Sequence, residues 1–418
     1  MTALTGTSAV LLAAKYCQQF PLFQWKEESL TCIGRKDRGK YRFRIQLTNL
    51  MQESERSQNM LLTVVSANCS NILGSRGSHL EYEMKALLVS LAHPNILPVV
   101  DFTFVKEKNA LVIVQPWIET GSLKDYIHRN QRPERNYSVK YQHQRNEPLS
   151  VQEIARFSTE IMRILMALRS KGIICESLHS ANIMIDQGIA KLTDLYNTLF
   201  GIDRPARLRE LMTPLEAYVE PDLIQLGHVI YEMATGVELA SPRPDDSVIE
   251  TLDAMVADVL RYIFLLDSKR RERSNPFARR KSESTINSSS ESNVCDEGPE
   301  GVLKVSLTRL CEFALFHLAN LPSIESLFAG FRLDSGMKSV IRMIIRANQA
   351  RNDAHILRYQ GKESERIQRL RVDRRLKLKQ LQHSLKKNVA MDTNKDNTPI
   401  MRRSSYRAIT SRHSIPEG

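Results

Sequence analysis

Hydrophobic and polar positions along this chain fall into short strand-like runs followed by helical stripes. Residues 61–66 and 110–116 are apolar runs of strand length, the second close to continuous, as expected of buried strands. Between them Leu80, Met84, Leu87, Leu88 and Leu91 recur at helical spacing and predict an amphipathic helix over 79–91. Residues 222–236 predict a buried helix. The stripe Met337, Val340, Ile341, Ile344 and Ile345 predicts another over 336–349. Beyond it Ile367, Leu370, Leu378, Leu381 and Leu385, set among many arginines, predict a long polar helix over 363–387. The apolar run 9–14 is too short to span a bilayer and has no preceding positive charge, so it reads as a helix or strand packed on the neighbouring strands.

Short motifs set these elements in one frame. His93, Pro94 and Asn95 form a turn after the first helix. Gln115, Pro116 and Trp117 close the second strand, and Gly121, Ser122 and Leu123 start a short helix. The segment 175–182 ends in Asn182, Asp194 follows, and Asp222 opens the later buried helix. In order and spacing the series resembles a protein kinase, whose catalytic loop reads His-Arg-Asp-Leu-x-x-x-Asn and whose metal-binding segment reads Asp-Phe-Gly. The resemblance covers roughly residues 30–345 and implies an α+β fold of two lobes, one small and β-rich, one large and helical. In that fold Asp222 would support the structure by tying the catalytic-loop backbone in place.

Phosphoryl transfer there needs a carboxylate to take the hydroxyl proton, with an Asn and an Asp to hold magnesium. Asn182 and Asp194 stand at the metal positions, but Ser177 stands at the base position, so no catalytic residue is assigned. A serine hydroxyl does not accept a proton at neutral pH as a carboxylate does, and losing the general base is worth roughly 10²–10⁴ in rate. Glu176 occupies the neighbouring arginine position and is expected to point elsewhere, and His179 replaces the loop lysine.

The small lobe departs further. No lysine lies between Lys40 and Lys85, so the strand at 61–66 lacks its phosphate-pairing lysine, and Lys36 or Lys40 is the candidate for a displaced one. Gly34 and Gly39 alone make a weak phosphate loop, and a charged hairpin turn is the simpler reading. Met84, not Glu83, falls at the position of the helix glutamate, and one residue turns a side chain by about 100°. After Asp194 come Leu195 and Tyr196, without the glycine that lets this turn flip, so a fixed segment is expected. The expected protein is not an enzyme and holds no cofactor. Mg-ATP held by Asn182, Asp194, Gln115 and Trp117 is the minor alternative, as is an atypical, weakly active Ser/Thr kinase using Lys36 or Lys40.

Composition adds a boundary and a charge. With 42% hydrophobic residues in 418, the chain can bury one sizeable domain. Six scattered cysteines without Cys-x-x-Cys spacing suit a reduced, cytoplasmic setting. Residues 331–418 hold 21 Lys and Arg against 8 Asp and Glu, so the chain's net +12 belongs to its tail. Such a tail suits an acidic partner surface or anionic lipid, while few aromatics and no recognition motif argue against nucleic acid. The plan is an N-terminal segment 1–29, a kinase-like domain 30–350 with polar insertions at 129–148 and 268–300, and a basic helical or disordered tail 351–418. The first insertion reads as an exposed loop and the second as a disordered loop thrown out of the large lobe.

The second insertion carries Arg271, Ser274 and Pro276, with a basic residue three before a serine and a proline two after. That is the pattern read by phosphoserine-binding 14-3-3 proteins, whose basic groove clamps the added charge of about −1.5 to −2. Ser282 and Ser405 follow paired basic residues and are further sites for a basic-directed Ser/Thr kinase. Two such sites could engage both grooves of a dimeric reader.

The departures taken together, with the segment 172–201, the helix 226–233 and the insertion at 129–148, resemble the kinase-like domain shared by slowpoke-binding proteins of insects and PX-domain-containing kinase-like proteins. The short stretch before residue 30 leaves no room for a PX domain, which favours the slowpoke-binding branch. That resemblance implies binding to a calcium-activated potassium channel, modulation of its gating together with 14-3-3, and a cytoplasmic protein brought to the plasma membrane through the channel. A membrane-trafficking adaptor working through the basic tail is the remaining alternative.

Overall fold

The computed structural model describes residues 4–25, 39–48, 58–67, 77–91, 93–135, 137–141, 147–200, 202, 204–216, 218–266 and 305–319, with scattered positions from 335 to 376. Contacts divide the chain into two units, Met1–Ile356 and Leu357–Gly418.

The small lobe contains α1 (Gly6–Gln19), β1 (Phe23–Gln24), β2 (Lys40–Leu47), β3 (Gln58–Ser66), α2 (Gly77–Ser90), β4 (Asp101–Val105) and β5 (Ala110–Pro116). Its strands form one antiparallel sheet in the order β1-β2-β3-β5-β4. Lys40 pairs with Val65, Arg42 with Thr63 and Leu61 with Gln115. Because side chains alternate, these six share one side of the sheet. The opposite side presents Phe43, Ile45, Met60, Leu62, Val64, Val112 and Val114, and Ala9, Ala13, Tyr16 and Cys17 of α1 seal it. The run 9–14 is therefore a helix in the small lobe's own core, although it precedes residue 30. Thr5 and Ser8 close its first turn in a capping box, and the Tyr16 hydroxyl donates to Asp101 Oδ2 at 2.5 Å.

The large lobe runs through α3 (Leu123–Ile127), α4 (Tyr137–Lys140), α5 (Val151–Ser170), a single 3₁₀ turn (Ser180–Asn182), β6 (Ile183–Asp186), β7 (Ile189–Leu192), α6 (Leu195–Leu199), α7 (Ala206–Met212), α8 (Pro221–Thr235), α9 (Asp246–Glu250), α10 (Ala254–Phe264), α11 (Leu307–Leu310) and α12 (Ala314–Leu318). Ser150 and Glu153 start α5 with a capping box, and Pro221 starts α8, which stops at Gly236 with φ 71°. Helix α8 passes so close to α10 that a Cβ on Gly227 would lie 2.8 Å from Ile263 Cγ2. This is the α+β, two-lobed kinase arrangement that the sequence resemblance implied.

In the second unit the described residues are helical from 357 to 376, beginning before the predicted 363. Leu357, Tyr359, Val372 and Leu376 are exposed. Ser274, Ser282, Ser405, Lys36 and the 268–300 insertion lie outside the described residues. Among those described, no helix is long and apolar enough to cross a membrane.

Candidate functional site

The cleft faces the side of the sheet that carries Lys40, Arg42, Thr63 and Gln115. Opposite them, β6 and β7 form a tight hairpin whose turn, Gln187 and Gly188, takes φ of 50° and 80°. Asn182 precedes this hairpin and Asp194 follows it, so the two positions that a kinase uses for metal arrive side by side.

Asp194 is buried and already engaged at both oxygens. Oδ2 accepts from Lys40 Nζ at 2.5 Å and from Arg42 Nη2 at 2.5 Å, while Oδ1 accepts from the Tyr196 hydroxyl at 2.6 Å. Arg42 Nη2 also reaches Asn182 Oδ1 at 3.4 Å, and Asn182 Nδ2 donates to the Ser177 carbonyl at 3.1 Å. Burial alone would raise the Asp194 carboxyl, but Arg42 and Lys40 overrule it and hold the group well below the usual carboxylate range. Burial and the adjacent carboxylate push the Tyr196 phenol far up, so it stays a donor.

A magnesium ion does not fit this arrangement. It asks for open oxygen ligands at about 2.1 Å, and here the carboxylate oxygens face an ammonium, a guanidinium and a hydroxyl proton. A divalent ion about 4 Å from one of these cations would be repelled by roughly 8 kcal/mol at an effective dielectric of about 20. Among the described residues no group of three or more His, Cys, Asp and Glu side chains is placed to hold a metal ion.

The segment 175–182 is tied down from α8. Gln225 Oε1 accepts from Leu178 N at 2.8 Å, and Gln225 Nε2 donates to the Glu176 carbonyl at 2.8 Å. The sequence assigned this tie to Asp222, whose carboxylate instead takes Arg169 through two hydrogen bonds, at 3.0 Å to Nε and 2.5 Å to Nη2. Asp222 thus fastens the end of α5 to the start of α8. Glu176 lies 3.9 Å from Arg204, which also pairs with Glu216, so its carboxylate is committed to the segment after Asp194 and not to the base position. Ser177 is buried. In α2, Met84 faces the core while Glu83 pairs with His79 of its own helix at 3.5 Å.

Beside the end of β5 at Pro116 and Trp117 lies a pocket of about 570 Å³ including its open mouth, lined among others by Leu61, Leu97, Trp117, Ile118, Met184 and Arg42. Gln115 Nε2 donates to the Leu97 carbonyl at 3.3 Å, leaving Oε1 without a partner, as is the Trp117 indole N–H. The mouth is narrowed by the first insertion, which the sequence read as an exposed loop. Most of its described residues are exposed, as read, but Pro133 and Tyr141 are buried, and buried Asp125 collects Lys140 Nζ at 3.0 Å, the Tyr141 hydroxyl at 2.7 Å and Asn130 Nδ2 at 2.7 Å. Pro133, Tyr137, Lys140 and Tyr141 of this segment line the pocket.

Beneath the loop, Lys124 donates to Glu232 at 2.6 Å, and Ser180 donates to the other oxygen of Glu232 at 2.6 Å. Burial raises the Glu232 carboxyl, but His128 and Lys124 bring it down to about 2.

The profile of the protein tyrosine and serine/threonine kinase family matches residues 46–207. The slowpoke-binding protein of Drosophila melanogaster is 36% identical over 172 residues, which cover 39% of this chain and 32% of that protein. A probable inactive serine/threonine-protein kinase, slob2, of Dictyostelium discoideum is 28% identical over 204 residues, covering 48% and 34%. The PX domain-containing protein kinase-like protein of Rattus norvegicus is 33% identical over 166 residues, covering 39% and 27%. Each match therefore spans about a third of the relative's own length.

Proposed function

We propose that this chain, whose kinase-like domain is similar to those of the slowpoke-binding protein and of kinases named as inactive, is a pseudokinase that works as a phosphorylation-dependent adaptor. The observation that carries the inactive half is at Asp194. Its carboxylate is consumed by Lys40 and Arg42, and the position that would take the substrate proton is Ser177. At these two positions the chain supplies neither a carboxylate base nor a carboxylate free to take a metal, the two requirements of the transfer.

The partners follow from the relative's name and from the chain's own motifs. A calcium-activated potassium channel of the slowpoke type is the proposed target, reached from the cytoplasmic side of the plasma membrane. A 14-3-3 dimer is the proposed reader of phosphorylated Ser274, with Ser282 or Ser405 as the second foothold after a basic-directed Ser/Thr kinase has acted. The kinase-like domain would present a fixed surface, while the added charge recruits the reader. The test is co-precipitation of 14-3-3 with the phosphorylated full chain. It should fall at least tenfold in Ser274→Ala, and unchanged association would remove Ser274 as the principal site.

One observation favours a second reading. Lys40 does reach Asp194, as a displaced lysine in an active kinase must reach the cleft. A weakly active Ser/Thr kinase would transfer labelled phosphate from ATP, and the transfer would vanish in Asp194→Asn.

A further inference from the structure

We propose that Lys40 and Arg42 are the resident cations of the cleft, fixed side-chain charges that take the place of a divalent ion and bridge the small lobe to the large one. The inference rests on the pseudokinase reading above and carries it further. A kinase cleft is ordinarily bridged by a diffusible metal and its nucleotide. Here the bridge is covalently part of β2.

Three features support this. The first is register: Lys40 and Arg42 stand two apart on one strand, so the alternation that buries Phe43 against α1 turns both cations into the cleft. The second is convergence. Both nitrogens lie 2.5 Å from the same oxygen of Asp194, and Arg42 extends to Asn182 as well, so one pair of side chains meets both positions a metal would use. The third is the far side of the carboxylate. Tyr196 stands where the kinase series has its glycine and caps Oδ1, while Lys40 Nζ lies 5.1 Å from the centre of its ring. Lysine, arginine, aspartate and tyrosine thus meet at one point with all four side chains buried.

Mn²⁺ without nucleotide is the direct probe, because its electron spin resonance distinguishes free from bound ion. Titrated into the purified full chain at neutral pH, it should show no Asp194-dependent binding up to millimolar concentration. The double variant Lys40→Met, Arg42→Leu should gain a Mn²⁺ site at least tenfold tighter than any in the wild type, and adding Asp194→Ala should abolish it. Should the double variant fail to fold, Lys40→Met alone should show a smaller gain of the same kind. Wild-type binding that disappears in Asp194→Asn would overturn the proposal, as would a folded double variant that binds no better than the wild type. The adaptor reading fails separately, through loss of 14-3-3 or channel association, while the Mn²⁺ result stands.

Discussion

The ammonium of Lys40 sits 2.5 Å from Asp194 Oδ2, joining residues 154 positions apart across the cleft. With Arg42 on the same oxygen, Asp194 is the hub of a buried charge cluster, and removing it strands two cations. Asp194→Ala should cost about 3–5 kcal/mol of stability, the usual penalty for leaving buried charge uncompensated. Chemical denaturation of the two proteins side by side measures it.

Stability should fall in two steps as pH drops. Burial lowers His228 to about 4 while His179, Glu238 and Glu232 act on it, and its ring packs edge-on against Phe264. The unfolded histidine takes up its proton near ~6.5, so the unfolded state binds more protons between there and about 4, and stability is lost over that window. Glu232 stays ionised in the fold to about 2, and Asp194 is depressed as well, so a second loss follows below ~4.5. Each group contributes at most about 1.4 kcal/mol per pH unit. Replacing His228→Asn should shrink the first step, to which burial of His93 also contributes, and leave the second, which urea midpoints across pH 3–8 would show.

The first insertion should behave as a clamped flap. Losing the Tyr141 hydroxyl from buried Asp125 should cost about 1–3 kcal/mol locally and raise cleavage by trypsin within residues 129–135. Limited proteolysis of Tyr141→Phe against the wild type tests this. Equal cleavage would mean that Lys140 and Asn130 suffice to hold the segment.

Gly227→Ala should destabilise by about 1–3 kcal/mol, since the new methyl meets Ile263 at 2.8 Å and Phe264 at 2.9 Å between two packed helices. A thermal melt of the full chain measures the loss.

Much of this was legible in the sequence because kinase elements have strong patterns. The stripe of Met84, Leu87 and Leu91 placed α2 correctly, and its register put Met84 in the core. Lys40 was a candidate because the strand at 61–66 lacked any lysine. Arg42 was missed, although it stands two residues from Lys40 and strand alternation would have sent both to one side. The inward packing of Lys140 and Tyr141 was hidden by the polar composition around them, since only the fold brings them onto Asp125. The Gln225 tie was likewise invisible, because a glutamine in a buried helix carries no motif until its partner loop lies beside it.

The most direct test of the central claim is thermal unfolding of the full chain with and without millimolar Mg-ATP. A cleft bridged by Lys40, Arg42 and Asp194 predicts identical curves. Ligand at a hundred times its dissociation constant adds about 2.7 kcal/mol of stability, so a magnesium-dependent rise in Tm would contradict the account.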